Sequence, residues 1–224
     1  MRSKRTEQIE NAAGTARAAG SGIDPNLGAR ERLVMAAAQV FAESGYRSAS
    51  LDGILKRSGV AKSNFYYHFE GGKLALACAA VDTWLEILAA SPLVKVLGDT
   101  RIPGLERLER FAHNFEAACA AGPYGCPFGM LAAEDDLEPE LRERLCSAFH
   151  CMEGALAGAI RAGIEDGSIR REVSIDRTAT SLLAAVQGAG LLGRATRCEH
   201  RVLNCALPIL DLISTRPVAE PTER

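Results

Sequence analysis

The residues of this 224-residue chain whose types and spacing could do chemistry fall into three groups. A thiol and an imidazole, Cys126 and His113, could act as nucleophile and base. A run of acids favours a solvated helix start over a metal site: Glu134, Asp135 and Asp136. The third group lies in segment 45–73, where basic, amide, hydroxyl and aromatic side chains are mixed over two short helical segments.

The first two groups are not accompanied by a known catalytic motif. No GxSxG or HExxH motif and no phosphate-binding glycine loop occurs in the sequence. The seven cysteines form no CxxC pair, and an odd number without a secretory signal predicts reduced thiols. We therefore expect a protein that is not an enzyme and that needs no metal and no cofactor.

Segment 45–73 has the size and layout of a helix-turn-helix, in which the second helix enters the DNA major groove. Lys62, Ser63 and Asn64 fall at the start of that helix, where side chains that read base edges lie. Others could contact phosphates and sugars: Ser50, Tyr66, Tyr67, His68 and Lys73. The alternative interpretation is that these residues merely pack two small helices together.

Helices must position these side chains, because apolar residues recur at steps of three or four and no segment alternates like a strand. We predict an all-α protein with about nine helices, ended by Gly, Pro and Ser signals. Their expected ranges are 29–44, 51–57, 62–68, 73–90, 104–120, 128–134, 139–165, 174–194 and 198–214.

The apolar residues of the head define a small domain. Ile54, Val60, Phe65 and Phe69 are spaced to pack the two short helices against the first, so residues 29–73 are predicted to form a three-helix DNA-binding domain. We expect a flexible arm at 1–28, and a larger helical body for ligand binding and dimerisation at 74–224.

The formal net charge of −2 hides an asymmetry between these parts. Residues 1–73 carry eleven basic and seven acidic side chains, a net charge of +4. Residues 74–224 carry fifteen basic and twenty-one acidic ones, a net charge of −6. A basic head on an acidic body predicts that DNA contacts only the head.

No membrane or export signal is apparent. The charged start lacks an apolar core, and no run of about 18 apolar residues occurs. We expect a cytoplasmic protein without a membrane partner.

The helix-turn-helix segment also carries a recognisable pattern. ESGY ends the first helix, and then follow Ser50-Leu51, Ile54, Ser58-Gly59-Val60, Phe65-Tyr66-Tyr67-His68-Phe69, Lys73 and Leu76. With the string GVxxxxxYxHF, residues 30–76 resemble the N-terminal domain of TetR-family transcriptional regulators. The departures are Ala49, where Thr is common, and Gly71-Gly72, which lengthens the step from Phe69 to Lys73 by one residue.

The resemblance implies a homodimer, a palindromic DNA operator, and repression that a small ligand relieves. It also implies that Lys73 clamps the DNA backbone. The string GCPFGMLAAE at 125–134 is similar to a subgroup of the family in which a Gly-Cys turn opens the sixth helix.

The last two predicted helices are rich in small and aliphatic residues. Segment 176–194 and the final helix, with Val202, Leu203, Ala206, Leu207 and Leu210, could form a four-helix bundle across a two-fold axis. The alternative is an ordinary core within one chain, but the family resemblance favours the dimer interface.

The effector pocket is expected among the aromatic and sulfur-containing side chains of the body, with a few polar anchors. The candidates are Trp84, Phe111, His113, Phe115, Tyr124, Cys126, Phe128, Met130, Phe149, Met152 and Gln187. They predict an apolar or aromatic small molecule. Two alternatives stay open: a repressor that senses electrophiles or oxidants through Cys126, with Cys119 as a partner, and an enzyme with Cys126 as nucleophile.

Overall fold

The computed structural model describes residues 23–120, 126–196 and 201–216. In this part of the chain there are ten α-helices and one 3₁₀ turn, Val96–Gly98, and the only extended pairing is an isolated bridge between Ile169 and Ser214. The all-α expectation is therefore confirmed. The helices are α1 (Ala29–Ser44), α2 (Leu51–Ser58), α3 (Lys62–His68), α4 (Gly72–Ala90), α5 (Pro92–Lys95), α6 (Gly104–Ala120), α7 (Pro127–Ala132), α8 (Pro139–Glu165), α9 (Ile175–Thr196) and α10 (Arg201–Ile213).

The sequence pattern predicted nine of these ten helices and missed the short helix α5. The predicted range 73–90 stops just before Pro92, and α4 does end at Ala90. Pro92 then opens the four-residue α5, because its missing N–H and fixed φ suit a first helical position. A proline inside a helix usually bends or breaks it, yet α10 continues past Pro208 to Ile213.

The helices group into two compact units. One contains the described residues up to Ser91 together with Cys126–Phe149, and the other contains the remaining described residues. The first unit therefore consists of two separate chain segments. A division into functional domains at residue 73 stays a prediction, and residues 1–22 of the expected arm lie outside the described residues.

The first unit is built around α1. This helix packs against α2, α4 and α7, and its apolar face, with Leu33, Ala37 and Phe41, is completely buried. Leu76 and Ala80 of α4 are buried as well. The three-helix head thus shares its core with the helix that follows it.

In the second unit, α10 packs against α6 and α9. The start of α6 lies so close to α8 that a Cβ on Gly104 would overlap the backbone of Gly163. The carboxylate of Asp166 caps this end of α6, because it accepts the N–H of Gly104 at 2.7 Å. Burial raises the pKa of Asp166, but hydrogen bonds from Ser168 and Gly104 outweigh it and hold that pKa below the ordinary range.

No single helix in the described ranges is both long and apolar enough to cross a membrane. The bent pair Gly72–Ala90 and Pro92–Gly98 reaches that length and composition only when taken together.

Candidate nucleic-acid interface

The turn between α2 and α3 is fixed by local hydrogen bonds. Ser50 caps α2, because its hydroxyl oxygen accepts a hydrogen bond from the N–H of Gly53 at 3.0 Å. Gly59 ends α2 with φ 63°, a left-handed conformation that glycine adopts without strain. The Ser58 hydroxyl donates to the Leu55 carbonyl at 3.0 Å and accepts the N–H of Val60 at 3.3 Å. The direction in which α3 leaves the turn is therefore determined.

The inner faces of α2 and α3 are anchored by apolar side chains. Ile54 and Phe65 are completely buried, and Val60 and Phe69 are nearly so. The Phe65 and Phe69 rings stack with centroids 5.9 Å apart, so the packing role expected for them is confirmed. This leaves the other face of α3 for contacts outside the chain.

That outer face of α3 is polar and open. Lys62, Ser63 and Asn64 on its first turn are all exposed. Tyr66 is 49% exposed and Tyr67 80% exposed, which is unusual for such large aromatic side chains. A seven-residue helix with one buried face and hydrogen-bonding groups on the other fits the recognition helix of a helix-turn-helix.

The remaining two predicted DNA-contacting residues are partly engaged within the chain. His68 is half-buried, with its ring edge-on to Tyr67 at 5.1 Å. Lys73 donates from Nζ to the Arg47 carbonyl at 3.3 Å and lies 4.6 Å from the centre of the Tyr46 ring. Burial lowers the pKa of Lys73, and the charges of nearby acids partly counter this effect. The clamp on DNA expected for Lys73 stays a prediction.

The sequence pattern did not reveal the residues that hold the α1–α2 loop, residues 45–50. Glu134 accepts the backbone N–H of Tyr46 and, at 2.9 Å, that of Arg47. The Tyr46 hydroxyl donates to Glu138 at 2.9 Å. Burial, and then this bond to Glu138, raise the pKa of Tyr46 well above its ordinary value. Glu134 is half-buried, so the solvated helix start expected there is wrong for this residue.

No signal within the local sequence could have shown these contacts, since their partners lie 87 to 92 residues apart. The metal site considered for the same acids finds no support in the described ranges, where no cluster of three potential ligands occurs.

The predicted effector residues fall into two groups, one in each unit. In the first unit, the rings of Trp84 and Phe128 meet edge-on at 5.8 Å, and the same unit contains Cys126, Met130 and Phe149. In the second unit, Phe111 and Phe115 are buried with ring centroids 6.0 Å apart, and the same unit contains His113, Met152 and Gln187. Tyr124 lies outside the described residues.

Two of the polar candidates differ in burial. His113 is exposed, whereas the amide nitrogen of Gln187 is buried with no hydrogen-bond partner in the described structure. A buried amide without a partner costs free energy until something satisfies it. Gln187 is therefore a candidate anchor whose amide nitrogen has unused hydrogen-bonding capacity.

A turn held by capping bonds, a buried inner face and a polar recognition helix define a helix-turn-helix DNA-binding protein. Comparison with known proteins agrees over most of the chain. Residues 33–80 match the family model described as bacterial regulatory proteins, tetR family. Residues 104–204 match the tetracyclin repressor-like C-terminal domain.

Curated relatives agree with both matches. The transcriptional repressor DhaR of Mycobacterium sp. (strain GP1) is 31% identical over 163 residues, which cover 71% of this chain and 79% of DhaR. The transcriptional regulator LmrA of Bacillus subtilis is 29% identical over 187 residues, which cover 82% of this chain and 96% of LmrA. The chain belongs to the TetR family of DNA-binding transcriptional regulators.

The fold of this chain also matches solved structures of TetR-family regulators. The TetR-family regulator CifR, solved as a cysteine mutant with 26-base-pair operator DNA, superposes with a TM-score of 0.71 at 21% identity. That match covers 84% of this chain and 98% of CifR.

Proposed function

We propose that this TetR-family regulator is a repressor that binds a palindromic operator as a homodimer and is released by a small apolar or aromatic effector. The observation that carries the proposal is the two-faced α3, in which Phe65 is completely buried while Tyr67 is 80% exposed. A structural helix would have no reason to present so much aromatic surface and hydrogen-bonding capacity to water.

The DNA contacts follow from the geometry of α3. Its start, with Lys62, Ser63 and Asn64, is the part that enters the major groove, so these residues read base edges. The hydroxyls of Tyr66 and Tyr67 serve phosphates on either side, with Ser50, His68 and Lys73. The basic head, with a net charge of +4, attracts DNA, whereas the acidic body repels it. CifR, with the same fold, is solved with operator DNA.

Dimerisation is proposed through α9 and α10. Leu182, Leu183 and Val186 on α9 are buried in their unit, but Leu191 is 59% exposed, Leu192 49% and Leu212 71%. A second copy related by a two-fold axis would remove these leucines from water and would place two recognition helices on one palindrome.

The effector is proposed to bind among the aromatic residues of the body, with Gln187 as a polar anchor. Binding would favour a conformation in which the two recognition helices no longer match successive major grooves, a population shift that needs no catalytic turnover. The protein would act in the cytoplasm of a bacterium, where its DNA is.

We prefer a reversibly bound effector to a thiol sensor because the two candidate cysteines are only partly exposed. A thiol sensor needs an accessible thiolate, whereas Cys126 and Cys119 are both half-buried.

The test is fluorescence anisotropy with labelled duplexes from the DNA that flanks the gene. Wild-type protein should bind one duplex specifically, with affinity that falls steeply as salt rises. Lys62→Ala should weaken that binding by roughly tenfold or more, since it removes a charged contact at the groove. The α-helical circular dichroism should not change, because the Lys62 side chain is exposed.

Lys95→Ala is the matched control, because Lys95 is an exposed lysine in α5, outside the head. It should bind as the wild type does. Absence of specific, salt-sensitive binding by wild-type protein to any flanking duplex would overturn the proposed function.

A further inference from the structure

We infer that Glu134 is a positioning residue for DNA binding, whose carboxylate fixes the α1–α2 loop and, through it, two of the groups that hold the DNA backbone. The inference rests on the proposed function, because it assigns the contact that keeps the helix-turn-helix in its binding geometry.

The loop needs an outside partner for its backbone. Its N–H groups at Tyr46 and Arg47 follow the end of α1 and precede α2, so neither has a partner within a helix. Both point to the Glu134 carboxylate, one to each oxygen. A carboxylate that accepts two N–H groups is a stronger anchor than a neutral acceptor.

Two neighbouring acids add to this anchor unequally. Glu138 accepts the Tyr46 hydroxyl at 2.9 Å, and the Tyr46 side chain is almost fully buried. Asp136 lies 3.4 Å from the Arg47 guanidinium, but both side chains are mostly exposed and their ion pair contributes little. Glu134 is therefore the acid that determines where the loop backbone lies.

On the DNA side, the loop contains one proposed phosphate contact, Ser50, and touches a second, Lys73 of α4. The Arg47 carbonyl accepts a hydrogen bond from the Lys73 ammonium group at 3.3 Å, and the N–H of the same residue donates to Glu134. Three residues further on, Ser50 caps α2. If the loop shifts, Lys73 and the start of α2 shift with it, and they then no longer meet phosphates in register with α3.

On the other side, Glu134 continues from α7. Its N–H donates to the Leu131 carbonyl at 3.1 Å, so the last turn of α7 extends to it. Leu131 and Phe128 of α7 are buried, and Phe128 contacts Trp84 at 5.8 Å between ring centroids. Any effector that displaces α7 would therefore move the carboxylate and the loop that it holds.

The experiment compares Glu134→Ala with Asp135→Ala in the full-length protein, on the flanking duplex that wild-type protein binds. Asp135 is the neighbouring acid, exposed and without a hydrogen bond or ion pair to the described part of the chain. Electrostatics alone predicts that both variants bind DNA more tightly, since each loses one negative charge. The positioning role predicts that Glu134→Ala binds roughly tenfold more weakly, whereas Asp135→Ala does not weaken.

Two further measurements exclude a simple folding defect. Glu134→Gln, which keeps one acceptor oxygen, should recover part of the affinity, and the amides of Tyr46 and Arg47 should exchange hydrogen faster in Glu134→Ala. Equal or tighter DNA binding by a folded Glu134→Ala overturns the inference and leaves the proposed function intact. Failure of wild-type protein to bind any flanking duplex overturns the proposed function instead.

Discussion

Tyr46 shows at the scale of one residue how a polar group is accommodated in an apolar core. Its ring packs edge-on against Phe41 at 5.6 Å between centroids, its N–H and hydroxyl both reach acids of the α7–α8 segment, and its ring lies under the Lys73 ammonium group. One side chain thus joins α1, α4 and the acidic segment. We therefore expect the Tyr46 hydroxyl to lose its proton only above the ordinary pKa of tyrosine.

The prediction for Tyr46 concerns pH. Its pKa is raised in the folded state, so its contribution to stability is full below about pH 10, the unfolded value, and is lost as pH rises above it. In a titration of tyrosinate absorbance, the difference between wild type and Tyr46→Phe should show a phenol that ionises well above pH 10. At neutral pH, Tyr46→Phe should lower the free energy of unfolding by about 1 kcal/mol.

Tyr67→Phe is the control, since Tyr67 is 80% exposed and should leave the free energy of unfolding unchanged. If Tyr46→Phe removes an ordinary phenol that ionises near pH 10, the environment described for Tyr46 is wrong.

At the scale of elements, helix ends were predictable where a single residue type decides them. Ser50 lies at the start of α2, Gly59 lies at its end, and Pro139 begins α8. Each end was predictable because capping hydrogen bonds and fixed φ values act within one turn. The ends of α7 and α9 fell within two residues of the prediction. Pro92 both follows the end of α4 and begins α5, and the sequence pattern predicted only the end of α4.

The candidate site was predictable to the same extent and for the same reason. The polar start of α3 and its buried Phe65 follow from local periodicity, so both could be predicted from the sequence. The contacts of Glu134 depend on residues far away in the chain, and hydrophobic periodicity carries no information about such polar pairs. The acidic run at 134–136 drew attention to this segment, but it did not indicate that Glu134 accepts the loop N–H groups.

The crossing of α6 and α8 gives a prediction at this scale. Gly104→Ala should lower the free energy of unfolding by about 2 kcal/mol, because the added methyl overlaps the backbone of Gly163 and the helices must separate. Gly154→Ala on the exposed side of α8 is the control: nothing lies within 4 Å of the new methyl, so stability should rise by roughly 0.5–1 kcal/mol. Denaturant unfolding measures both. A Gly104→Ala protein as stable as wild type would contradict the close approach.

At the scale of the whole molecule, apolar and charged surfaces are separated along the chain. The large exposed aliphatic side chains of the described ranges, Leu191, Leu192 and Leu212, belong to α9 and α10. The net positive charge belongs to the first 73 residues. The proposed dimer contacts and the DNA contacts would therefore involve different parts of the chain.

The dimer proposal gives the corresponding prediction. Leu192→Glu should shift the protein from dimer to monomer in sedimentation velocity, because it introduces a charge into the proposed contact between two copies. Operator affinity should then fall by more than roughly tenfold, since each half-site is bound separately. Thr100→Glu adds the same charge at an exposed position outside α9 and α10 and should change neither property. A wild-type protein that sediments as a monomer would contradict the proposal.

The first unit consists of two separate chain segments, so a single recombination event between related genes cannot exchange it. A crossover at residue 91 would transfer α1 to α4 but would leave behind Cys126–Phe149, and with it the carboxylate that the α1–α2 loop depends on. The cut at 149 would fall inside α8, a continuous helix of 27 residues. Recombination that exchanges the first unit as a whole therefore requires three crossovers, one of them inside α8.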